Sequence, residues 1–395
     1  MPLARADSLL VNGNPKSTNT KAGAGGRTEA HLELCARAAS CANEGCWREA
    51  ADLYDGAVAA GGREVVLFSN LGLARLMLGE LDAAEAALSL ATRSANATPA
   101  AFFNLGLLRT AQHQLGAARQ AYQEAVKRKS DYFEAWVNLG NVLLRVREAT
   151  AASQAFERAT ALRPSDPAAS YMLAAVNGQA RATAPAEYVR ALFDQYAPTF
   201  EQNLLGRLHY DAPSQLRKLL DDALAQPARV GAVLDVGCGT GLAGVAFADV
   251  ADHLTGVDLS QGMIDQARQK GIYDALLVAD FLDVLQEPGP MFDMFLACDV
   301  LIYVGDLRRA FEVMGQRAAP NALALFSTQV AGGALTATDP GFRLGPTGRF
   351  VHDSEYVLRA AEDANWHEVA RRPVSVRLER GRPVPGEIFL LRHQP

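Results

Sequence analysis

The stretch Leu234-Asp-Val-Gly-Cys-Gly-Thr-Gly-Leu-Ala-Gly244 places an acid, Asp235, two residues ahead of three closely spaced glycines, Gly237, Gly239 and Gly241. Glycines at this spacing let the backbone approach a ligand closely, because they tolerate positive φ and carry no Cβ. Gly239-Thr-Gly241-Leu-Ala-Gly244 also matches, letter for letter, the G-x-G-x-x-G turn that cradles a pyrophosphate at a helix N-terminus. Asp235 argues against that reading. It ends an apolar run beside the space a pyrophosphate would fill, where two anions repel and a positively charged ligand is attracted. Two further acids end apolar runs downstream, Asp258 in Gly256-Val-Asp-Leu-Ser260 and Asp280 in Leu276-Leu-Val-Ala-Asp-Phe281. Singly, an acid at a strand end is often a helix N-cap. Three in succession around a glycine loop read as one binding site.

Such a site needs strands to present it. The apolar runs Arg229–Asp235, Leu254–Asp258, Ala275–Asp280, Phe292–Cys298 and Ala322–Ser327 alternate with helical patterns, which predicts a mainly parallel, doubly wound sheet with helices on both faces. Val374–Leu378 and Ile388–Arg392, separated by the turn-rich residues 379–386, predict a terminal β-hairpin and hence an antiparallel last strand. Together the hairpin and the Asp-x-Gly-x-Gly-x-Gly run resemble the class I S-adenosylmethionine (SAM)-dependent methyltransferases. That resemblance implies an α/β Rossmann-like domain whose mixed seven-stranded sheet ends in the hairpin. SAM carries no phosphate, and its methionine end bears an ammonium and a sulfonium, so an acid there is attractive. On this resemblance Asp235, Gly237, Cys238, Gly239 and Gly241 form motif I, and Asp258, with Leu259 beside it, takes the ribose hydroxyls. Asp280 and Phe281 meet the adenine amino group and ring face, Met263 its edge, and Asp299 the methionine end.

Methyl transfer from a sulfonium is an in-line displacement with a good leaving group, so positioning and exclusion of water can supply much of the rate without a metal or a protein nucleophile. Asp299 and Tyr303, just past the fourth strand, are expected to line the acceptor side. His352, in Gly348-Arg-Phe-Val-His-Asp353, is the candidate base, with a polar role at a helix N-terminus beside Asp353 or Ser354 as the competing reading. His209 reads as structural. Phe193-Asp-Gln-Tyr196 resembles the N-terminal lid of small-molecule methyltransferases, which implies that Phe193 and Tyr196 cover the methionine portion; at helical spacing with Phe200 they are equally ordinary core. Arg343, Arg349, Arg371, Arg372, Arg377, Arg380 and Arg382 would attract an anionic acceptor, or simply decorate solvated strand faces.

Upstream the sequence repeats. Asn-Leu-Gly recurs at 70–72, 104–106 and 138–140, a period of 34 residues, preceded by Phe68, Phe102 and Trp136. The same period carries Ala84, Ala118 and Ala152, then Leu88, Tyr122 and Phe156, then Ala91, Ala125 and Ala159, with a weaker first copy in Trp47, Ala50, Tyr54 and Ala57. This resembles the tetratricopeptide repeat (TPR), a helix pair that cannot bury its apolar face alone and must stack. The resemblance implies an all-α solenoid of four repeats over about 31–164, a cap helix from Pro167, and a groove lined by Leu73, Leu76, Met77, Phe103, Leu107, Val137, Asn141, Leu144 and Arg145. That apolar groove suits a partner helix or self-association, or packs on the chain's own second domain.

The chain has 395 residues, 49% hydrophobic and 21% charged, enough for two cores. A net charge of -6 gives no electrostatic footprint for nucleic acid or an anionic membrane, and Ser8-Leu-Leu-Val11 is too short for a secretory or membrane-spanning segment. The 5 cysteines lack paired spacing, so reduced thiols in a cytoplasmic protein are expected, with Cys35, Cys41 and Cys46 as helix packers and no metal. The expected organisation is a disordered tail over 1–30, repeats over 31–178 and a methyltransferase domain over 179–395, joined by a linker at 179–186. Over residues 31–392 the pattern resembles bacterial TPR-containing methyltransferases. It implies methyl transfer to a small-molecule or carrier-bound acceptor, with the repeats docking a partner or a second copy. A protein methyltransferase whose repeats grip the substrate, and a non-catalytic SAM-binding interaction protein, are the competing readings.

Overall fold

The computed structural model describes residues 25–197, 200–207, 210–224, 229–330, 335, 339–379 and 382–394. The expected tail lies outside them up to residue 24, as does His209. Two compact units divide between Ala169 and Ser170.

The first unit is a run of antiparallel helix pairs: α1 (Gly25–Asn43) with α2 (Trp47–Ala59), α3 (Val65–Met77) with α4 (Leu81–Arg93), α5 (Pro99–Ala111) with α6 (Leu115–Arg128), and α7 (Phe133–Arg145) with α8 (Ala149–Leu162). Residues 25–30, expected in the tail, belong to α1. The period has a steric basis. A Cβ on Gly72 would come within 2.5 Å of Leu88, one on Gly106 within 2.5 Å of Tyr122, and one on Gly140 within 2.8 Å of Phe156. The bare glycine lets the second helix's large residue press against the first helix's backbone. Each pair turns through a left-handed residue, Gly45, Gly79, His113 and Arg147, again at the repeat period. Several positions expected to line a groove are instead interior: Leu73, Phe103 and Leu107 are buried, and the Phe103 ring lies 5.8 Å from that of Tyr122 and 5.1 Å from that of Tyr132. Asn141 is buried as well.

The boundary between units falls inside α9 (Pro167–Val176), the expected cap. Ala169 packs with Phe133 and Ala159 in the first unit, whereas Tyr171 donates to the Gly348 carbonyl (3.1 Å) and lies tilted against Tyr188 in the second, centroids 5.1 Å apart. The expected linker is tied down too. Ala184 N–H donates to Tyr303 O (2.9 Å), and Gly305 N–H to Ala182 O (2.8 Å).

The second unit opens with α10 (Ala186–Tyr196), α11 (Phe200–Arg207) and α12 (Ala212–Ala223). It continues with β1 (Val230–Val236), α13 (Leu242–Phe247), β2 (Ala251–Asp258), α14 (Gln261–Arg268), β3 (Ala275–Val278), α15 (Phe281–Gln286) and β4 (Phe292–Ala297). A short 3-10 turn at Leu301–Tyr303 leads to α16 (Arg308–Gln316), β5 (Ala318–Gln329), β6 (Phe342–Leu344), β7 (Phe350–His352), α17 (Ser354–Glu362), β8 (Trp366–Glu379) and β9 (Arg382–His393). The sheet has the order β3-β2-β1-β4-β5-β9-β8, parallel except for β9, which runs antiparallel to both neighbours. The reversal of strand order at β1 and β4 opens the crevice where such sheets hold ligands. Leu216, Leu219 and Leu220 of α12 cover one face through Val233, Phe247, Met294 and Leu325. Elsewhere Phe326 stacks on Phe389 (centroids 5.0 Å apart), and the buried Trp366 donates through Nε1 to Phe311 O. Each such buried ring contributes roughly 2–3 kcal/mol.

The hairpin is longer than its residue types predict: 382–386, read as turn, extend β9. Pro383 and Pro385 are tolerated because β5 pairs with β9 only from Gly386 onward, so neither missing N–H is needed by a second neighbour. The small antiparallel pair β6–β7 was not expected at all. Among the described residues no helix is long and apolar enough to cross a membrane.

Candidate functional site

β1 delivers Asp235 and then Gly237, Gly239 and Gly241, all at positive φ (58°, 54° and 91°). A Cβ on Gly237 would meet Val300 at 2.5 Å, whereas one on Gly239 would meet nothing within 4 Å, so this turn faces open space. Asp235 is 1% exposed. Its Oδ2 accepts from the Tyr273 hydroxyl (2.6 Å), and its Oδ1 has no partner. Burial pushes this carboxyl up to about 7, against the downward pull of the Tyr273 hydroxyl; the Asp258 charge pushes it further up, and the Gly244 amide pulls it down. Asp258 closes β2, its Oδ2 accepting from Gly239 N–H and its Oδ1 from Ser260 N–H, both at 2.9 Å. Burial raises it as well. A carboxylate has about four lone-pair sites, so both oxygens keep capacity for hydroxyl donors. Asp280 caps α15 through Leu282 N–H (2.9 Å), with half-buried Phe281 next to it. Cys238, nearly buried, donates its N–H to Val257 O, and burial holds its thiol neutral.

Helix α10 is fastened over this end of the sheet. Arg190 Nε donates to Leu259 O (3.2 Å), and Asp194 Oδ1 accepts from Ser260 Oγ (2.6 Å) and Gly262 N–H (3.3 Å). Phe193, half-buried, stands edge-on to Tyr303 (centroids 5.6 Å) and near Phe200 (6.0 Å); Tyr196 is half-buried on the same helix. Past β4, Asp299 adopts φ 60° and donates its N–H to Ser327 Oγ (2.8 Å). A non-glycine residue held there carries strain of about 1–2 kcal/mol. Arg377, 2% exposed, donates from Nη1 to Asp299 Oδ1 (3.1 Å) and from Nη2 to Gln329 (2.9 Å).

Two expected site residues stand elsewhere. His352 ends β7 fully buried, with Nε2 donating to Val304 O (2.9 Å) and Gly305 O (3.2 Å). Desolvation lowers its pKa to about 4, so it is a neutral structural donor rather than a base facing an acceptor. Met263 likewise packs inward from α14 beside Ile264 and Ala267, all three buried. Three of the arginines already have acidic partners: Arg377 is committed to Asp299, Arg371 lies against Glu355 (3.4 Å), and Arg372 pairs with Asp222 (2.9 Å), while Arg380 lies outside the described residues. Residue patterns missed Asp194 and Tyr273. For Tyr273 the one signal was Gly244, whose missing Cβ leaves room for a neighbouring side chain.

A seven-stranded sheet of this order, with carboxylates closing β1 and β2 around a glycine loop, defines a class I methyltransferase fold. The methyltransferase-domain family matches residues 233–321, and the tetratricopeptide-repeat family residues 133–166. Methyltransferase-like protein 27 of Homo sapiens is 35% identical over 111 residues, covering 28% of this chain and 45% of its own. A ubiquinone biosynthesis O-methyltransferase of Coxiella burnetii is 28% identical over 144 residues (34% and 61%). A malonyl-[acyl-carrier protein] O-methyltransferase of Serratia marcescens is 30% identical over 128 residues (31% and 49%). The chain spans about half the length of the curated relatives it matches. Among solved structures, the N-methyltransferase NodS of Bradyrhizobium japonicum, in complex with S-adenosyl-L-homocysteine (SAH), is 21% identical, covering 46% of this chain and 87% of its own at a TM-score of 0.37. The chain joins tetratricopeptide repeats to a class I methyltransferase domain. The cofactor of that domain class is SAM. The residues present fit it, because a buried carboxylate oxygen with no partner calls for a cationic donor.

Proposed function

We propose that this chain transfers a methyl group from SAM to a small-molecule or carrier-bound acceptor in the cytoplasm, with its repeats docking a partner protein or a second copy. The observation that carries the reading is Asp235 Oδ1, buried and unpartnered at the end of β1. Asp235 would hold the ammonium, Asp258 the ribose hydroxyls, and Asp280 with Phe281 the adenine, with Gly239 giving close backbone approach. Bound SAM supplies a methyl on a sulfonium, whose displacement leaves a neutral thioether. The chain's own part is to orient the acceptor and keep water out, and Phe193 of the anchored α10, edge-on to Tyr303, suits that role. Of the three groups nominated from the sequence for the acceptor side, His352 is enclosed and Asp299 is tied to Arg377, which leaves Tyr303 beside the lid. The relatives named ubiquinone biosynthesis O-methyltransferase and malonyl-[acyl-carrier protein] O-methyltransferase support a small-molecule or carrier-bound acceptor.

Calorimetric titration with SAH is the first test. Wild type is expected to bind, and Asp258→Ala to bind about 100-fold more weakly, since two hydrogen bonds to a charged acceptor are lost. Undiminished binding by Asp258→Ala would sink the site assignment. Purified protein and radiolabelled SAM added together to lysate from cells lacking this protein then report the acceptor, against the same lysate without the protein. Label in small molecules or a carrier adduct supports the reading, and label in protein side chains overturns it.

A further inference from the structure

The third glycine of the G-x-G-x-x-G match is the packing glycine of that motif, and here the group it makes room for is a side chain. A Cβ on Gly244 would fall 2.2 Å from the Tyr273 hydroxyl oxygen. Gly241 and Gly256 close on the same ring: their Cβ atoms would lie 3.0 Å from Tyr273 Cε2 and Cε1. Three glycines from two different elements therefore shape one seat. The next residue locks the ring's approach, since Asp274 accepts from Leu254 N–H through Oδ2 (2.7 Å) and donates its own N–H to Leu254 O (2.9 Å). From that seat the Tyr273 hydroxyl donates to Asp235 Oδ2 at 2.6 Å, while Oδ1 of the same buried carboxylate has no partner.

We infer that Tyr273 is a positioning residue for the cofactor: its hydroxyl fixes Asp235 through Oδ2 and leaves Oδ1 as the acceptor for the cofactor's ammonium. This rests on the SAM reading above and gives the glycine loop a second task, making room for the tyrosine that orients its acid. The hydroxyl also favours the charged form of Asp235, which burial disfavours. The other titratable groups facing Asp235 are Asp258 at the end of β2, whose charge opposes its ionisation, and the thiols of Cys238 in the loop and Cys298 past β4, both kept neutral by burial. Asp235 must be ionised to hold an ammonium, so affinity should rise as pH climbs through about 7 and Asp235 loses its proton. It should fall again at more alkaline pH, once the ligand's own α-amino group deprotonates.

The test is SAH binding to the full chain by calorimetry from pH 5.5 to 9, for wild type, Tyr273→Phe, Asp235→Asn and the double variant. Phenylalanine keeps the ring in its seat and removes only the donor. Tyr273→Phe should bind about tenfold more weakly at pH 6.5, with the acid limb displaced by about one pH unit to the alkaline side and the alkaline limb unmoved. In the Asp235→Asn background the same change should cost nothing further, because there is no carboxylate left to orient. Tyr273→Phe with wild-type affinity and profile overturns the inference. So does a loss uniform with pH that persists in Asp235→Asn, which would mean simple loop packing. If wild type itself fails to bind SAH, the cofactor reading falls first, and that result is distinct from both.

Discussion

Asp235 and His352 are buried ionisable side chains of one domain whose protons move in opposite directions on folding. Asp235 has its pKa raised to about 7, so the stability linked to it is present at low pH and lost as pH rises through that value. His352 has its pKa lowered to about 4 from 6.5, so its linked stability is present above 6.5 and lost as pH falls toward 4. Full loss amounts to about 3 kcal/mol. His352→Gln keeps a donor for Val304 O and removes the titration. The variant should be less stable than wild type at pH 7, and the gap should narrow by about 2 kcal/mol at pH 4.5, measured by urea unfolding at both values. A gap that stays constant would mean that His352 titrates alike in the folded and the unfolded chain. The acid-and-glycine run was legible in the sequence because charge type and φ tolerance are properties of single residues at strand ends. His352, Arg377, Asp194 and Tyr273 were not, since each is defined by a partner far along the chain: Val304, Asp299, Ser260 and Asp235. A histidine three residues past an arginine reads the same in the sequence whether its ring meets solvent or two carbonyls.

At the level of elements, the repeats show how periodic spacing becomes shape. Gly106 sits under the Tyr122 ring, where an added methyl would approach ring carbons at 2.5–2.8 Å. Gly106→Ala gains helix propensity yet should destabilise the protein by about 1–3 kcal/mol, because α5 and α6 must separate. Chemical denaturation checks this; an unchanged or raised midpoint would remove the steric account of the period. The helix pairs and the parallel strands were readable because their patterns recur over many residues. The turns were less so, since Gly45 and Gly79 give way at the same left-handed position to His113 and Arg147, which hide the signal. The proline-bearing start of β9 and the short strands β6 and β7 depend on which neighbour they pair with, and no local pattern states that.

For the whole molecule, two compact units with separate cores should unfold in two steps. Scanning calorimetry with SAH at about 100 times its dissociation constant should add about 2.7 kcal/mol to the second unit and raise that transition by roughly 5–10 °C, while the repeat transition stays where it was. Both transitions moving together would mean a single cooperative structure. The strap at Ala182–Ala184 has a consequence for the order of events during synthesis. Its partners in Tyr303, Gly305 and Asp306 lie some 120 residues later in the chain. At about 5–20 residues per second, the strap emerges roughly 6–24 s before anything exists for it to pair with. Each repeat, by contrast, has its neighbour at hand as soon as the next helix pair is made. The solenoid can therefore be complete on the ribosome while the stretch entering α10 still lacks its backbone partners, and through that interval those unpaired groups are open to misassociation.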